Sequence, residues 1–337
     1  MSIVNTFSLQ SNRQIKINFD GGDLSSDAGL LLIKEFISKL GIERLLNRSF
    51  KTNDSAVFRY HTDRDNLLQM IYMIMAGYFE DDASDELTKD PIFFNRMDED
   101  TLKQFQEISQ ILRKRIYSIQ MPQAVILDLD STLLAAYGKQ EGRAFNFHYQ
   151  SNGYHPLVCY DRITGDLIKI QLRDGAAYSC TGVTNFLQPI LDEYLNDYPT
   201  IHLLLRGDSG FATPDLYKQC EENGTSYVIR LMENFIKESK SGFDFSAVSS
   251  HNRIVNANRV QVHALAYNIF NWFRRLVLSA KMRKQRIDTV RLKLLKIATK
   301  VVHSARYITF KLCSSCPYKE EFYDTLSAIG KLNVQLE

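Results

Sequence analysis

The order of strand-forming and helix-forming segments constrains this chain more than any other feature. From residue 124 onward it reads β-β-β-α-β-α-β-α. Val125-Ile126-Leu127-Asp128-Leu129-Asp130 is a short β-prone run, and Tyr154 to Tyr160 and Asp166 to Leu172 are two more. Asp161-Arg162-Ile163-Thr164-Gly165, between the last two, is hairpin chemistry. Thr181 or Thr184 opens a helix through Phe186, Leu187, Ile190, Leu191 and Tyr194. Ile201 to Leu205 is a strand that runs into Arg206-Gly207-Asp208-Ser209-Gly210. Pro214 sits in the first turn of another helix, which ends near Gly224. Ser226 to Leu231 is a strand, and after Met232 the chain reads as helical nearly to its end. A doubly wound sheet would need helices between the first three strands as well.

Three strands able to pair antiparallel, then strands alternating with helices, is the order of the ribonuclease H-like fold, an α/β (α+β) class. The residues before it look helical. Ser25 or Ser26 can cap a helix carrying Leu30, Leu31, Leu32, Phe36 and Leu40. Asp63 to Phe79 and Asp98 to Tyr117 supply two more. The acidic stretch Glu80, Asp81, Asp82, Asp85 and Glu86 between them reads as a solvated face or loop. The expected division is a helical region over 1–120, a core over 121–270 and basic helices over 271–337. A length of 337 residues allows at least two domains of about 150 residues.

Composition excludes several classes. Apolar residues make up 45% and charged residues 24%, so disordered and collagen-like chains are out. The five cysteines, Cys159, Cys180, Cys220, Cys313 and Cys316, are too scattered for a disulfide framework. Cys313 and Cys316 form one CxxC without the second pair a zinc site needs, so unpaired thiols in a reducing cytoplasm are expected. The most apolar window, Leu67 to Phe79, is shorter than the roughly 20 residues of a membrane span and is read as a buried helix. No signal peptide is read at Met1 to Gln10.

Two acids lie at strand ends. Asp130 closes the first strand of the core, with Asp128 two residues earlier on the same face. Asp208 follows the fourth strand. In a ribonuclease H-like sheet these strands are neighbours, so Asp130 and Asp208 would converge. A third acid belongs on the helix after the fifth strand, where Glu233 stands, with Glu238 in reserve. Three such carboxylates suit Mg²⁺, which prefers oxygen ligands. Two cations about 4 Å apart can activate an attacking oxygen and stabilise the leaving one in phosphodiester chemistry. The bland alternative is that strand-end aspartates cap loops.

The chain resembles the DDE transposases of bacterial insertion sequences. The resemblance is carried by words in family order from about residue 19 to residue 275. They include Phe19-Asp20-Gly21-Gly22-Asp23-Leu24-Ser25-Ser26-Asp27, Leu127-Asp128-Leu129-Asp130-Ser131-Thr132 and Tyr137-Gly138-Lys139-Gln140-Glu141-Gly142. Gly153-Tyr154-His155-Pro156-Leu157, Leu205-Arg206-Gly207-Asp208-Ser209-Gly210-Phe211 and Glu233 to Lys240 follow, and Asn258-Arg259 to Ala266-Tyr267-Asn268 closes the set. The resemblance implies Asp130, Asp208 and Glu233 as catalytic, metal-holding acids, preferring Asp130 to Asp128 because of the Ser131-Thr132 that follows. It implies two Mg²⁺ or Mn²⁺ ions, element terminal repeats and target DNA as partners, and homo-oligomers on paired ends. Lys240, seven residues after Glu233, lies two helical turns along and would hold a DNA phosphate.

The pattern departs from the family at one place. The branch with this glutamate–lysine spacing usually carries a β-rich insertion before the glutamate, preceded by a tyrosine and an arginine at fixed spacing. Here about 25 residues separate Asp208 from Glu233, enough for one helix and one strand. Tyr227 and Arg230 resemble that pair, but Arg230 is one residue too close to Glu233. This reads as a junction near 231–233 at which the inserted domain is missing. A folded, catalytically dead DNA-binding remnant is therefore a competing reading.

From Arg274 to Lys311 roughly a dozen Lys and Arg face one acid, Asp288, an excess able to neutralise several phosphates. Arg274, Arg275, Lys281, Arg283, Lys284 and Arg286 are the densest. Arg291, Lys293, Lys296 and Lys300 follow at helix-like spacing, with Leu292, Leu295, Ile297 and Val301 as an apolar stripe. A solvated amphipathic helix explains the pattern alone; beside a metal-nuclease site, phosphate contact is the better reading. Trp272 is read as core, and His148 and His155 have no role assignable from sequence. One rival remains. Val125 to Thr132 also matches the D-x-D-x-T motif of haloacid-dehalogenase-like phosphatases, with Asp128 as nucleophile and Asp130 as acid/base. Consecutive strands after the motif, and basic helices a phosphatase would not need, weigh against it.

Overall fold

The structure, a computed structural model, describes residues 6–21, 27–54, 59–78, 96–229, 242–243, 248–304 and 306–334. The first region contributes β1 (Phe7–Ser8), β2 (Ile15–Gly21), α1 (Leu30–Lys39), α2 (Ile42–Ser49), α3 (Asp63–Ala76) and α4 (Glu99–Ile119). Local chemistry sets several of these ends. Thr62 and Asp65 form a reciprocal capping box at the start of α3, and Gly77, at φ 84°, closes it. Asp98 and Thr101 cap α4 in the same way. The Ser25 and Ser26 expected to cap α1 lie outside the described residues, as does the acidic stretch from Glu80 to Glu86.

The core begins with β3 (Ala124–Ser131). Three short strands, β4 (Leu134–Ala135), β5 (Ala144–Asn146) and β6 (Ser151–Tyr154), form a small antiparallel sheet in the order β4-β6-β5. The single strand expected from Tyr154 to Tyr160 is thus two. The chain leaves β6 at Tyr154 and re-enters the main sheet as β7 (Leu157–Asp161). Pro156 stands in the break, where its missing N–H does not interrupt a ladder. Next come β8 (Leu167–Gln171), α5 (Val183–Asp197), β9 (His202–Gly207), α6 (Pro214–Glu222) and β10 (Ser226–Ile229).

The main sheet has the order β10-β9-β3-β7-β8. β3, β9 and β10 are parallel, while β7 runs antiparallel to both β3 and β8. The first strand is central, the second is reversed, and the fourth and fifth lie on the far side. That is the ribonuclease H-like sheet expected from the segment order.

The 25-residue α7 (Arg253–Val277) binds this core to the helical region. Its apolar residues, among them Leu265, Ile269, Phe270 and Phe273, are buried. Its buried amides act as brackets: Asn268 bonds both the N–H and the C=O of Leu167 on β8, and Asn258 accepts from Thr101 Oγ1 at 3.0 Å and donates to the Asp98 carbonyl. Trp272 is buried, as expected of a core residue. Across the same seam Arg113 of α4 makes a two-pronged ion pair with Glu193 of α5, at 2.7 and 3.0 Å, both side chains buried.

The C-terminal region holds helices α8 (Ala280–Arg283), α9 (Ile287–Val290, continuing through a π turn at Arg291–Leu295) and α10 (Lys319–Lys331). It also holds two strands that the helical reading did not include, β11 (Thr299–His303) and β12 (Ile308–Cys313). The expected apolar stripe breaks up accordingly. Leu295 and Ile297 are buried, but Leu292 and Val301 are exposed, because the chain turns into β11 instead of continuing a helix. β12 pairs parallel with β2, giving a sheet in the order β1-β2-β12-β11. Phe19 of β2 packs edge-on against Phe322 and Tyr323 of α10. The first and last regions thus share one sheet. No described helix is long and apolar enough to cross a membrane.

Candidate active site

The site is set by the register of β3 and β9. Leu129 pairs with Gly207. The next residue on each strand is Asp130 and Asp208. Asp208 keeps an extended backbone, with φ −78° and ψ 179°. Residues at matching positions of neighbouring strands, about 4.8 Å apart, share a face. The two carboxylates expected to converge therefore lie side by side at the C-terminal ends of adjacent parallel strands.

Each is oriented by backbone. The Ser131 N–H donates to Asp130 Oδ1 at 2.7 Å, and the Gly210 N–H donates to Asp208 Oδ1 at 2.8 Å as the chain turns into a 3-10 helix, Ser209–Phe211. Glycine fits tightly there. A Cβ on Gly210 would stand 3.0 Å from both Asp208 Oδ1 and Ser179 Cβ. The loop holding Ser179 packs on Asp130's side too, since the Ser131 and Ser179 hydroxyls are 3.0 Å apart. Tyr149 of the small-sheet hairpin donates to the Ser131 carbonyl at 3.3 Å.

Asp128 is placed differently. It lies opposite Arg206 on β9, 3.7 Å from its Nε, and 3.9 Å from Nη1 of Arg162. Burial raises its carboxyl above the usual range, and the two guanidiniums pull the other way. The haloacid-dehalogenase-like reading fails on this placement. That motif's strand would be flanked by parallel strands joined through helices, whereas β3 has antiparallel β7 on one side, and the supposed nucleophile faces two arginines. His155 is a loop bracket, buried with Nδ1 2.7 Å from the Ala177 carbonyl; His148 packs edge-on against Tyr149.

Glu233, Glu238 and Lys240 lie outside the described residues, as do Arg230 and Met232. Among the described residues no group of three metal-ligating side chains occurs. Asp130 and Asp208 are therefore the two assigned acids whose placement the structure gives, and their all-oxygen chemistry fits a hard divalent cation.

The six basic residues expected to meet DNA divide. Lys281, Arg283, Lys284 and Arg286 are exposed on and after α8, and Arg274 is half-buried, donating to Asn271 Oδ1 at 2.9 Å. Arg275 is a packing residue: its Nη2 sits 2.8 Å from Oδ2 of the buried Asp166. Burial raises the Asp166 carboxyl, and Arg275 acts against that. Arg291, also counted in the basic run, is buried and donates to the carbonyls of Ile74, Met75 and Gly242. A guanidinium has enough donors to tie several carbonyls at once, and spacing alone cannot tell that use from phosphate contact.

The sequence reading passed over Arg173 and Ser179, which belong to the segment joining β8 to α5. Their one signal was a polar, glycine-containing stretch, Arg173 to Gly182, between a strand and a helix.

The family model described as Transposase DDE domain group 1 matches in three segments, residues 7–96, 93–232 and 231–334. No curated protein sequence matches this chain significantly. Among solved structures, a piggyBac transposase synaptic complex with hairpin DNA is similar at 14% identity, covering 60% of this chain and 50% of that one, with a TM-score of 0.29. The catalytic domain of Mos1 mariner transposase is similar at 10% identity, covering 56% of this chain and 97% of that one, with a TM-score of 0.26. The Mos1 paired-end complex with left transposon end gives 10%, 73%, 86% and 0.24 in the same order. The chain thus spans half the length of the piggyBac protein it matches. With a family match running from residue 7 to residue 334, this chain belongs to the DDE transposases, in the group described as Transposase DDE domain group 1.

Proposed function

We propose that the chain is built for the metal-dependent cleavage and strand transfer of an insertion-sequence transposase, with Asp130, Asp208 and Glu233 as its catalytic acids. The observation that supports this most is the adjacency of Asp130 and Asp208 beyond the Leu129–Gly207 pair. Mg²⁺ or Mn²⁺ bound by these acids would supply activation of the attacking oxygen and stabilisation of the leaving oxygen. The contribution of the chain is positioning and charge. Asp130 and Asp208 present oriented carboxylates at one sheet edge, so the reacting phosphodiester is held without reorganising the site. Lys281, Arg283, Lys284 and Arg286, with Arg274 and Lys240, would hold element ends and target DNA through phosphates. Residues 1–120, which carry β1 and β2 beside their helices, would help bind the ends. Paired-end assembly of several copies follows from the family reading, and a reducing cytoplasm suits the unpaired thiols.

A specific observation favours the shortened form of this reading. The family match is divided at residues 231–232, where the sequence lacks room for the β-rich insertion, as it also is at residues 93–96. The main sheet is complete up to the junction, through β10 (Ser226–Ile229).

The test is Mg²⁺- or Mn²⁺-dependent cleavage of labelled DNA carrying the sequences that flank the gene. Wild type is compared with Asp208→Asn, which keeps the cap on Gly210. Cleavage at an element end, absent in the variant, is the expected result. Residual metal-dependent cleavage in the variant refutes the acid assignment. DNA binding without cleavage by either protein marks the chain as a dead remnant.

A further inference from the structure

A cavity of about 340 Å³ lies between β8 and the start of α5. Lys169, Arg173, Asp174, Thr181, Asn185 and Arg253 line it. Three cations thus face one carboxylate, and that carboxylate, Asp174, is 3.3 Å from Arg253. α5 runs 15 residues and starts here, with Gly182 before it, no side-chain cap and no acid in its first turn. The Val183 N–H donates to the Cys180 carbonyl at 3.1 Å, and the positive end of the helix dipole is left for something else to satisfy.

Arg173 makes the site more than a helix end. Only 8% of its surface is exposed. Nε donates to the His155 carbonyl, and Nη1 to the carbonyls of Tyr178, Ser179 and Thr181. Its described partners are all neutral, with no carboxylate among them, and its buried Nη2 has no hydrogen-bond partner among the described residues. Burial alone pushes its guanidinium down to about 10. Lys169 is likewise pulled down by burial; its ammonium donates to the Phe186 carbonyl at 3.0 Å. Buried cations are ordinarily paired with an anion. This pair faces a cavity instead.

We propose that this cavity is a phosphate-binding site that takes a backbone phosphodiester of the bound DNA. Lys169 and the first turn of α5 would hold the anionic oxygens, the buried and uncompensated charge of Arg173 would favour them from the cavity wall, and Arg253 adds charge at the rim. The choice of DNA as the source rests on the transposase reading, and on continuity with its site. Arg173 holds the Ser179 carbonyl at 3.1 Å, and Ser179 holds Ser131, the residue after Asp130. A strand engaged at the aspartates and one engaged at this cavity touch the same loop.

Asn185→Asp tests it. The change is isosteric and puts a carboxylate in the first turn of α5, which the helix dipole favours, so the fold is retained or strengthened. The same carboxylate repels an anion in the cavity. The measurements use the full chain in metal-free buffer. Thermal denaturation is followed with inorganic phosphate against chloride at matched ionic strength, and binding to a labelled DNA duplex is followed across a salt series. Phosphate should raise the wild-type midpoint and not that of the variant. Duplex affinity should fall about tenfold, and the salt slope by about 0.9. Phosphate stabilisation that is absent in wild type, or unchanged by Asn185→Asp, overturns the site. Phosphate binding lost in the variant with duplex affinity and salt slope unchanged overturns the assignment to DNA, leaving a site for a free anion. No cleavage is read, so failure of the metal chemistry and failure of this site remain distinguishable.

Discussion

Asp128 and Arg206 face each other across β3 and β9, the carboxylate 3.7 Å from the guanidinium, one strand pair back from Leu129 and Gly207. Asp130 is two residues further along the same face, at the sheet edge beside Asp208. Two aspartates on one strand face therefore have different neighbours, which makes their roles separable by experiment.

Asp130→Asn is expected to abolish metal-dependent DNA cleavage while leaving the thermal midpoint nearly unchanged. Asp128→Asn is expected to leave cleavage within about tenfold of wild type. Burial already disfavours the Asp128 charge and the arginines offset it, so losing this partly exposed pair should cost at most about 1 kcal/mol. The sign is specific. A raised folded pKa means the ionised group loses stability as pH climbs through that pKa, so Asp128→Asn should compare most favourably with wild type above it. Single-turnover cleavage and melts across pH 3.5–7 (about the carboxylate range) check both; an Asp128→Asn protein as dead as Asp130→Asn would reverse the assignment.

Arg275 and Lys284 both belong to the basic run, and the structure separates them. Arg275→Ala leaves Asp166 buried without its partner and should cost about 3 kcal/mol of stability. Lys284→Ala, on an exposed side chain, should change stability by less than about 0.5 kcal/mol and lower the salt slope of DNA binding by about 0.9. Urea denaturation paired with salt-series binding checks the contrast, and equal stability losses for the two would sink it.

Gly210→Ala should impair cleavage more than folding. The added methyl meets Asp208 Oδ1 and Ser179 Cβ, each at 3.0 Å, so the turn or the loop must shift by a few tenths of an ångström. Shifts at a positioned carboxylate are costly to rate, and about tenfold or more is expected. A variant with wild-type cleavage would show that the Asp208 turn tolerates displacement.

The cysteines should label in a fixed order. The Ser315 hydroxyl, 3.1 Å from Cys313 Sγ, and the Ser315 backbone hold that thiol below its usual range, so more of it is thiolate at neutral pH. Burial pushes Cys220 up to about 11 and drives Cys159 higher still. Timed iodoacetamide labelling read by mass spectrometry should therefore modify Cys313 first, with Cys159 and Cys220 protected until the chain unfolds. Early modification of Cys159 would contradict the packing of β7.

Much of the core was legible because its signals are local. A β-prone run marked β3, hairpin residues marked the turn between β7 and β8, and Pro214 marked the first turn of α6. The acids were legible for the same reason, since each ends a recognisable strand. The cations were not. Arg173, Arg275 and Arg291 look in sequence like any other exposed charge. Arg275 and Arg291 are spent on a buried carboxylate and on carbonyls contributed by distant segments, and Arg173 on carbonyls of the loop that follows it and of His155.

What the sequence by itself determined is the succession of the main-sheet strands and the helices between them, the strand-end positions of Asp130 and Asp208, and the absence of room before Glu233 for an inserted domain. These follow from residue-by-residue propensities and counting. Tertiary structure alone decided that β2 joins β12, that Asp128 faces Arg206 and Arg162, and that Arg173 is buried in the wall of the cavity at the start of α5. Each of these depends on strand register and on contacts between residues far apart in the chain. Such contacts are set by the shared burial of the whole core, so a linear reading carries no trace of them.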